Sequence, residues 1–186
     1  MNRLLLIIIL ICIVACKPWL KPELKLQFVN STDLKKSVTY LASDELEGRD
    51  TGSEGIEKAA IFIEGVFKTN KIEPYFKTYR DSFNLNGINA YNLVGFIEGN
   101  DPLLKNEIVI LGAHYDHIGN AKEVKGDSIA NGANDNAAGT SAVLEVAKYF
   151  AANKSNKRSL LIALFSAEEK GLKGLNTWRK SLRIKI

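Results

Sequence analysis

The sequence has little cysteine, proline or histidine, and these shortages exclude several classes of protein. Its two cysteines, Cys12 and Cys16, both lie near the N-terminus, so a disulfide framework across the chain is excluded. Four prolines in 186 residues, with no low-complexity tract, exclude a disordered or repetitive chain. A composition of 46% hydrophobic and 25% charged residues is typical of one globular domain.

Charge of one sign is not concentrated in any segment. The formal net charge is +4 and the isoelectric point is about 9.0, but the lysines and arginines are spread along the chain. No basic cluster alternates with aromatic residues, as a groove for nucleic acid requires. We therefore expect no nucleic-acid partner.

The first sixteen residues have the pattern of an export signal. Arg3 supplies a positive start, residues 4–14 are apolar, and the small Ala15 precedes Cys16. The apolar stretch is short for a membrane span, and its end resembles a bacterial lipobox. We predict a lipoprotein signal peptide over residues 1–15, acylation of Cys16 and a tether over residues 16–30. The protein would then be lipid-anchored in the bacterial cell envelope, facing the periplasm or the exterior; an ordinary cleaved signal or an uncleaved anchor is the alternative.

The apolar runs after the tether predict the fold class. Two strands are predicted, over residues 107–113 and Ser159–Phe165, because each contains an unbroken apolar run, 108–111 and 160–165, typical of parallel strands that are buried on both faces. A helical pattern over residues 136–152 lies between them, which predicts a right-handed parallel crossover. Asn86-Gly87 predicts a β-hairpin at the sheet edge. We expect an α/β domain over residues 31–186, with a mixed, mainly parallel sheet flanked by helices.

Two helices are predicted before the sheet. Ser31 or Thr32 is a candidate cap for the first, and residues 51–54 have the spacing of a capping box for the second. The polar segment 43–50 between them is interpreted as a solvated connection without a catalytic role.

Metal-ligand residue types follow both predicted parallel strands. His114 and Asp116 come directly after the first strand, Asp135 precedes the crossover helix, and Glu168 and Glu169 follow the second strand. Because the carboxyl ends of parallel strands meet at one edge of a sheet, we expect these side chains to gather there. Imidazole and carboxylate groups are zinc ligands, and a neighbouring carboxylate can serve as general base.

Each of these residues also has an ordinary structural interpretation. Asp135 lies in an Asn/Gly-rich segment that suits a helix cap, and residues 166–169 match a capping box. His114 could be a histidine at a surface strand end, and His117 is expected to point elsewhere and not to bind metal. Each motif alone is weak evidence, whereas their joint occurrence in this order favours a metal site.

Three segments resemble successive motifs of the co-catalytic zinc aminopeptidase family, which includes bacterial leucyl-type aminopeptidases, glutamate carboxypeptidases and glutaminyl cyclases. The resemblance extends from about Asp33 to Gly174. The segments that carry it are residues 112–119 (GAHYDHIG), 132–139 (GANDNAAG) and 165–171 (FSAEEKG), with lead-in segments at 41–49 and 91–95.

The resemblance implies a zinc-peptidase fold of the phosphorylase/hydrolase-like type and a role for each site residue. By it, His114 would bind one zinc ion, Glu169 a second, and Asp135 would bridge the two. Glu168 would be the catalytic general base, and Asp116 would not bind zinc itself but would accept a hydrogen bond from the ring N–H of His114. The peptide bond after Asp135 is expected to be cis.

The sequence also departs from the family. The resemblance implies two further ligands, an aspartate and a histidine, downstream of Glu169, but no acidic residue follows Glu169. We therefore expect a partial domain, truncated after Gly174. A single-base frameshift would make residues 175–186 a non-native tail. Strand Ser159–Phe165 would then keep an unpaired apolar edge and promote aggregation.

These features together predict a zinc-dependent metallopeptidase that removes N-terminal residues from peptides by means of a metal-activated water. With its ligand set incomplete, the chain is expected to be inactive by itself. Peptide substrates and, through the lipid anchor, a membrane are the expected partners. A glutaminyl cyclase-like enzyme and a non-catalytic envelope lipoprotein that retains the fold are the alternatives.

Overall fold

The structure is a computed structural model that describes residues 29–181. Cys16, the predicted signal peptide and nearly all of the predicted tether lie outside the described residues. Two helices open the described chain, α1 over Ser31–Leu41 and α2 over Glu54–Thr69, with a 3₁₀ turn over Asp44–Arg49 between them. None of the described helices is both long enough and apolar enough to cross a bilayer.

The caps of the first two helices differ in how well they were predicted. Asn30, rather than Ser31 or Thr32, caps α1: its Oδ1 accepts the backbone N–H of Thr32 at 3.0 Å. Ser53, inside the predicted capping segment, caps α2. Asn, Ser and Thr are all good caps, and the residue that caps the helix is the one with an extended backbone. The sequence does not show which of three adjacent candidates has that backbone conformation.

The strands form one five-stranded sheet and one small hairpin. The hairpin consists of β5 and β6, which pair with each other. The bounds are β1 Glu73–Pro74, β2 Arg80–Leu85, β3 Ile88–Ile97, β4 Ile108–His114, β5 Asn120–Val124, β6 Asp127–Ile129 and β7 Ser159–Phe165. The connection from β4 to β7 contains the small hairpin, then a π-type turn over Ala133–Ala137, then helix α3 over Ala138–Asn153. Helix α4 spans Lys173–Ser181.

The α/β class with a mixed sheet flanked by helices is confirmed. The strand order is β1-β3-β7-β4, with β2 also paired to β3. The predicted parallel crossover is present, because β4 and β7 run parallel and are connected through α3. The other pairings within residues 29–181 are antiparallel, so this part of the sheet is not mainly parallel as predicted. The hairpin at Asn86-Gly87 is the reason, since it adds antiparallel strands and places β3 inside the sheet, beside β7, instead of at its edge.

Both faces of the sheet are covered by helices. On one face, α2 contributes Ala59, Ile63 and Phe67 to a buried cluster that also contains the alternate residues Ile162 and Leu164 of β7. On the other face, Trp178 of α4 is buried with Val94, Leu161 and Ala163, and its ring meets Phe165 edge to face. That residues 175–186 are a non-native tail stays a prediction.

The exposed strand edge is not the one that was predicted. Strand β7 has partners on both sides, β3 and β4, so Ser159–Phe165 has no free edge. Within the described residues β4 pairs with β7 alone, and Ile108, Val109 and Ile110 are 39–45% exposed. The prediction was wrong because periodicity shows that a strand is apolar and does not show which strand lies beside it.

Candidate metal centre

Three predicted ligands converge at the carboxyl ends of β4 and β7. His114 is the last residue of β4 and pairs with Phe165, the last residue of β7. The Nε2 atom of His114 lies 3.1 Å from Oδ1 of Asp135, which sits in the turn before α3. His114, Asp135 and Glu169 each offer one ligand atom, and these atoms lie within 4.8 Å of one another. We call these three residues the candidate metal centre.

Asp116 lies behind the candidate metal centre and is fully buried. Its carboxylate accepts the backbone N–H groups of Glu168 and Glu169, each at 3.2 Å, and the hydroxyl of Thr51 at 3.3 Å. One carboxylate therefore ties the loop after β7 to the loop after β4. Residues 166–169 form a turn stabilised in this way. The capping box that was their alternative interpretation is not formed, because α4 begins only at Lys173.

The imidazole of His114 is oriented by Asp116. Its Nδ1 lies 3.2 Å from the backbone carbonyl oxygen of Asp116 and 3.7 Å from the carboxylate. When Nδ1–H donates to that carbonyl, Nε2 carries the free lone pair and faces Asp135, as a metal ligand requires. Burial lowers the pKa of His114, but the contact with Asp116 and the charges of Asp116 and Glu168 outweigh burial and leave the pKa raised.

Glu168 lines a cavity next to the candidate metal centre. The cavity has a volume of about 220 Å³, and His114 and Asn136 form its polar wall together with Glu168. Its apolar wall is formed by Phe165, Leu172 and Leu175. Glu168 is thus placed beside the three converging residues, on the side that is open to a small molecule.

His117 was predicted to point away from the site, but it points towards it. Its Nδ1 lies 2.9 Å from Oε1 of Glu169, although His117 is not one of the three converging residues. The imidazole ring of His117 packs against Gly132, which has a φ of +60°. A Cβ on residue 132 would lie 2.7 Å from the ring, so the absence of a side chain at Gly132 makes room for the ring. No sequence signal reports this contact, because it depends on a left-handed turn in another loop.

Segment 43–50 is only partly the solvated connection that was predicted: Asp44, Glu45 and Glu47 are exposed, but Arg49 is buried and contacts the loops of the site. Arg49 is completely buried, and its guanidinium donates to main-chain carbonyls of the loops that carry His114 and Asp135. Burial lowers the pKa of Arg49 to about 10, and the charges of Asp116 and Asp135 act in the opposite direction. The prediction failed because five charged residues in eight are typical of an exposed loop, and a buried arginine is rare.

The donor set fits zinc. One imidazole nitrogen and two carboxylates are ligands that zinc takes in proteins, and the His114 ring is held in the necessary orientation. The peptide bond between Asp135 and Asn136 is cis, as the resemblance implied. The described residues bring together three ligand groups, whereas the family resemblance implies five for two ions.

Comparisons with known proteins agree with this arrangement. The family model described as peptidase family M28 matches residues 92–184, half of the chain. The LapA aminopeptidase of Legionella pneumophila superposes with a TM-score of 0.60 at 21% identity, over 82% of this chain and 40% of that one. The glutaminyl cyclase of Porphyromonas gingivalis superposes with a TM-score of 0.63 at 14% identity, over 85% of this chain and 55% of that one. An aminopeptidase from Aneurinibacillus sp. strain AM-1 superposes with a TM-score of 0.64 at 14% identity, over 82% of this chain and 66% of that one.

These structural likenesses, all under 25% identity, concern the fold, and the chain spans only 40–66% of the length of the three structures. The family model is more specific. It includes the segments that carry His114, Asp135 and Glu169 and extends to residue 184, beyond the end of α4. By this match the chain belongs to peptidase family M28.

Proposed function

We propose that the chain is a zinc-dependent metallopeptidase of the aminopeptidase type. The observation that carries this proposal is the convergence of His114, Asp135 and Glu169 within 4.8 Å at the end of the parallel strand pair. The membership of family M28 and the likeness to aminopeptidases support it.

In this proposal His114, Asp135 and Glu169 would hold zinc through one imidazole nitrogen and two carboxylates. Zinc, when bound, supplies a Lewis acid that polarises a peptide carbonyl and lowers the pKa of water. Glu168, on the cavity wall beside His114, takes a proton from the attacking water and delivers it to the leaving amine. Asp116 keeps the loop of Glu168 and Glu169 against the loop of His114 through its hydrogen bonds to their N–H groups.

Zinc binding tests the proposal directly. Competition with a chromophoric chelator should detect binding to the wild-type chain, but weak binding, because the described residues supply three of the five ligands that the resemblance implies. Absence of any saturable zinc binding would refute the proposal.

Peptide assays distinguish the aminopeptidase from its alternatives. Any turnover by an aminopeptidase should need a free N-terminus, so a leucyl peptide should be cleaved and its N-acetylated form should not. The likeness to glutaminyl cyclases supports a second candidate, which would instead release ammonia from a peptide with N-terminal glutamine. Because this chain is expected to be inactive by itself, the non-catalytic lipoprotein is tested in a full-length relative with the same site residues, where zinc binding without either reaction would favour it.

A lipid anchor at Cys16 is a separate proposal that is supported by residues 1–16 alone. The native protein should partition into detergent, and Cys16→Ser should release it or stop its processing, since two or three acyl chains give stable attachment. A water-soluble native protein with an unmodified N-terminus would contradict both the anchor and the envelope location.

A further inference from the structure

Arg49 makes an unusual set of contacts for a buried arginine. Its Nε donates to the carbonyl of Tyr115 at 2.9 Å, Nη1 to that of Asn131 at 2.7 Å and also to that of Leu41, and Nη2 to that of Gly132 at 3.1 Å. All four acceptors are main-chain oxygens. A buried guanidinium usually pairs with a carboxylate, and the contacts of Arg49 instead bind pieces of backbone together.

Three of the four carbonyls belong to the two loops that carry His114 and Asp135, and the fourth is that of Leu41, the last residue of α1. Tyr115 directly follows His114, while Asn131 and Gly132 lead into the turn that presents Asp135. One rigid, planar group therefore contacts both loops and limits the separation between their ends. Lysine, with a single flexible ammonium, could not reach these acceptors with the same geometry.

The backbone around Arg49 strengthens the same connection. The N–H of His117 donates to the carbonyl of Arg49 at 3.1 Å, and the N–H of Gly119 to that of Gly48 at 3.0 Å. Gly48 has a φ of +67°, and a Cβ on it would lie 2.2 Å from the carbonyl oxygen of Gly119. The approach of the two segments is therefore too close for any residue but glycine at position 48.

We propose that Arg49 is a positioning residue of the metal centre, which sets the separation of His114 and Asp135 by bonding the backbones of both their loops. The inference rests on the proposed function, because it assigns Arg49 to a zinc site. It assigns to Arg49 no contact with zinc or substrate.

The test compares Arg49→Lys with Arg80→Lys in the full chain. Both variants keep the positive charge, and Arg80 contacts Glu57 and Glu64, away from the candidate metal centre. We expect Arg49→Lys to lower zinc affinity by about 10- to 100-fold, the usual effect of a residue that orients metal ligands. The affinity of Arg80→Lys should stay within about twofold of wild type. The visible spectrum of the cobalt-substituted protein should change only in Arg49→Lys.

Melting temperatures of the metal-free proteins separate positioning from general destabilisation. If Arg49→Lys is unfolded in buffer, all three proteins are compared in trimethylamine N-oxide, which favours the compact state. Unchanged zinc affinity and cobalt spectrum in Arg49→Lys would overturn the inference and leave the proposed function intact. An equal loss in Arg80→Lys, or failure to fold even with the osmolyte, would show a structural role only. No zinc binding by wild type would refute both proposals.

Discussion

Two polar clusters in this domain differ in how their charges are balanced. In the first, Arg80 donates to Glu57 at 2.8 and 3.1 Å and to Glu64 at 2.6 Å, and it lies over the ring of Tyr91. Tyr91 in turn donates to Glu57. Each carboxylate of this Arg80 cluster thus faces a cation.

The second cluster contains Asp116, Asp135, Glu168 and Glu169 with the two histidines. Within residues 29–181, no lysine or arginine forms an ion pair with any of these four carboxylates; His114 pairs with Asp116 and Asp135, and His117 pairs with Glu169. Arg49 is close by, but its donors are directed at carbonyls. Gathered carboxylates that no lysine or arginine contacts directly favour the binding of a metal cation, whereas the Arg80 cluster is complete without a ligand.

Removing the proposed general base should have the largest effect and should affect catalysis alone. In a full-length relative that hydrolyses peptides, the substitution equivalent to Glu168→Gln is expected to reduce zinc-dependent hydrolysis by roughly 10²–10⁴-fold, because the water loses its proton acceptor. The zinc affinity of the variant, measured by chelator competition, should remain near that of wild type. Hydrolysis at the wild-type rate would contradict the role given to Glu168.

Neutralising one ligand should show that only the second cluster binds metal. Asp135→Asn is expected to weaken zinc binding by about 100-fold or more, since it removes a carboxylate from the centre. Glu57→Gln removes a carboxylate from the Arg80 cluster and should leave the affinity unchanged. Equal losses in the two variants would mean that zinc binding is not specific to the centre.

Breaking the balanced cluster should affect stability instead. Arg80→Ala leaves Glu57 and Glu64 without their cation and should lower the free energy of unfolding by about 1–2 kcal/mol in urea. Zinc affinity should not change. If Arg80→Ala lost zinc affinity at constant stability, the two clusters would not be independent.

Acid should weaken the Arg80 cluster gradually, which is the smallest expected effect. Hydrogen bonds from Arg80 and Tyr91 hold the pKa of Glu57 below its usual value of 4.5, against the opposing effect of burial. A lowered carboxylate pKa stabilises the fold above pH 4.5, and this contribution is lost as the pH falls through the folded-state pKa. Urea midpoints between pH 7 and pH 3 should therefore fall less steeply for Glu57→Gln than for wild type or Glu54→Gln. Parallel curves for all three proteins would contradict this.

The sequence predicted the parts of the fold that depend on local patterns. Strands β4 and β7 were predicted from their apolar runs. The convergence of His114, Asp135 and Glu169 was expected because His114 and Glu169 come after those strands and Asp135 precedes the helix that connects them. Long-range features were not predicted in the same way. The exposure of β4 depends on which strand is its neighbour, and a run of apolar residues contains no information about that.

Arg49 and His117 illustrate a second reason why parts of the site were not predicted from the sequence. Arg49 contacts backbone oxygens of residues 115, 131 and 132, and every residue has such an oxygen, so no residue type in the sequence indicates a partner. His117 meets Glu169 only because Gly132 leaves space for its ring. Metal ligands are recognisable because their chemistry is restricted to a few side chains, and the residues that position them need not be.

The order of the strands also has a consequence for synthesis on the ribosome. Among the strands of residues 29–181, the inner strand β7 is the last to be translated: β3 ends at Ile97 and β4 at His114, whereas β7 begins at Ser159. Until β7 leaves the exit tunnel, β3 and β4 lack the partner that joins them, and their apolar residues stay open to chaperones and to other nascent chains. Slow elongation between residues 115 and 158 would lengthen that interval, so yield should depend on codon choice there more than in the segment before β3.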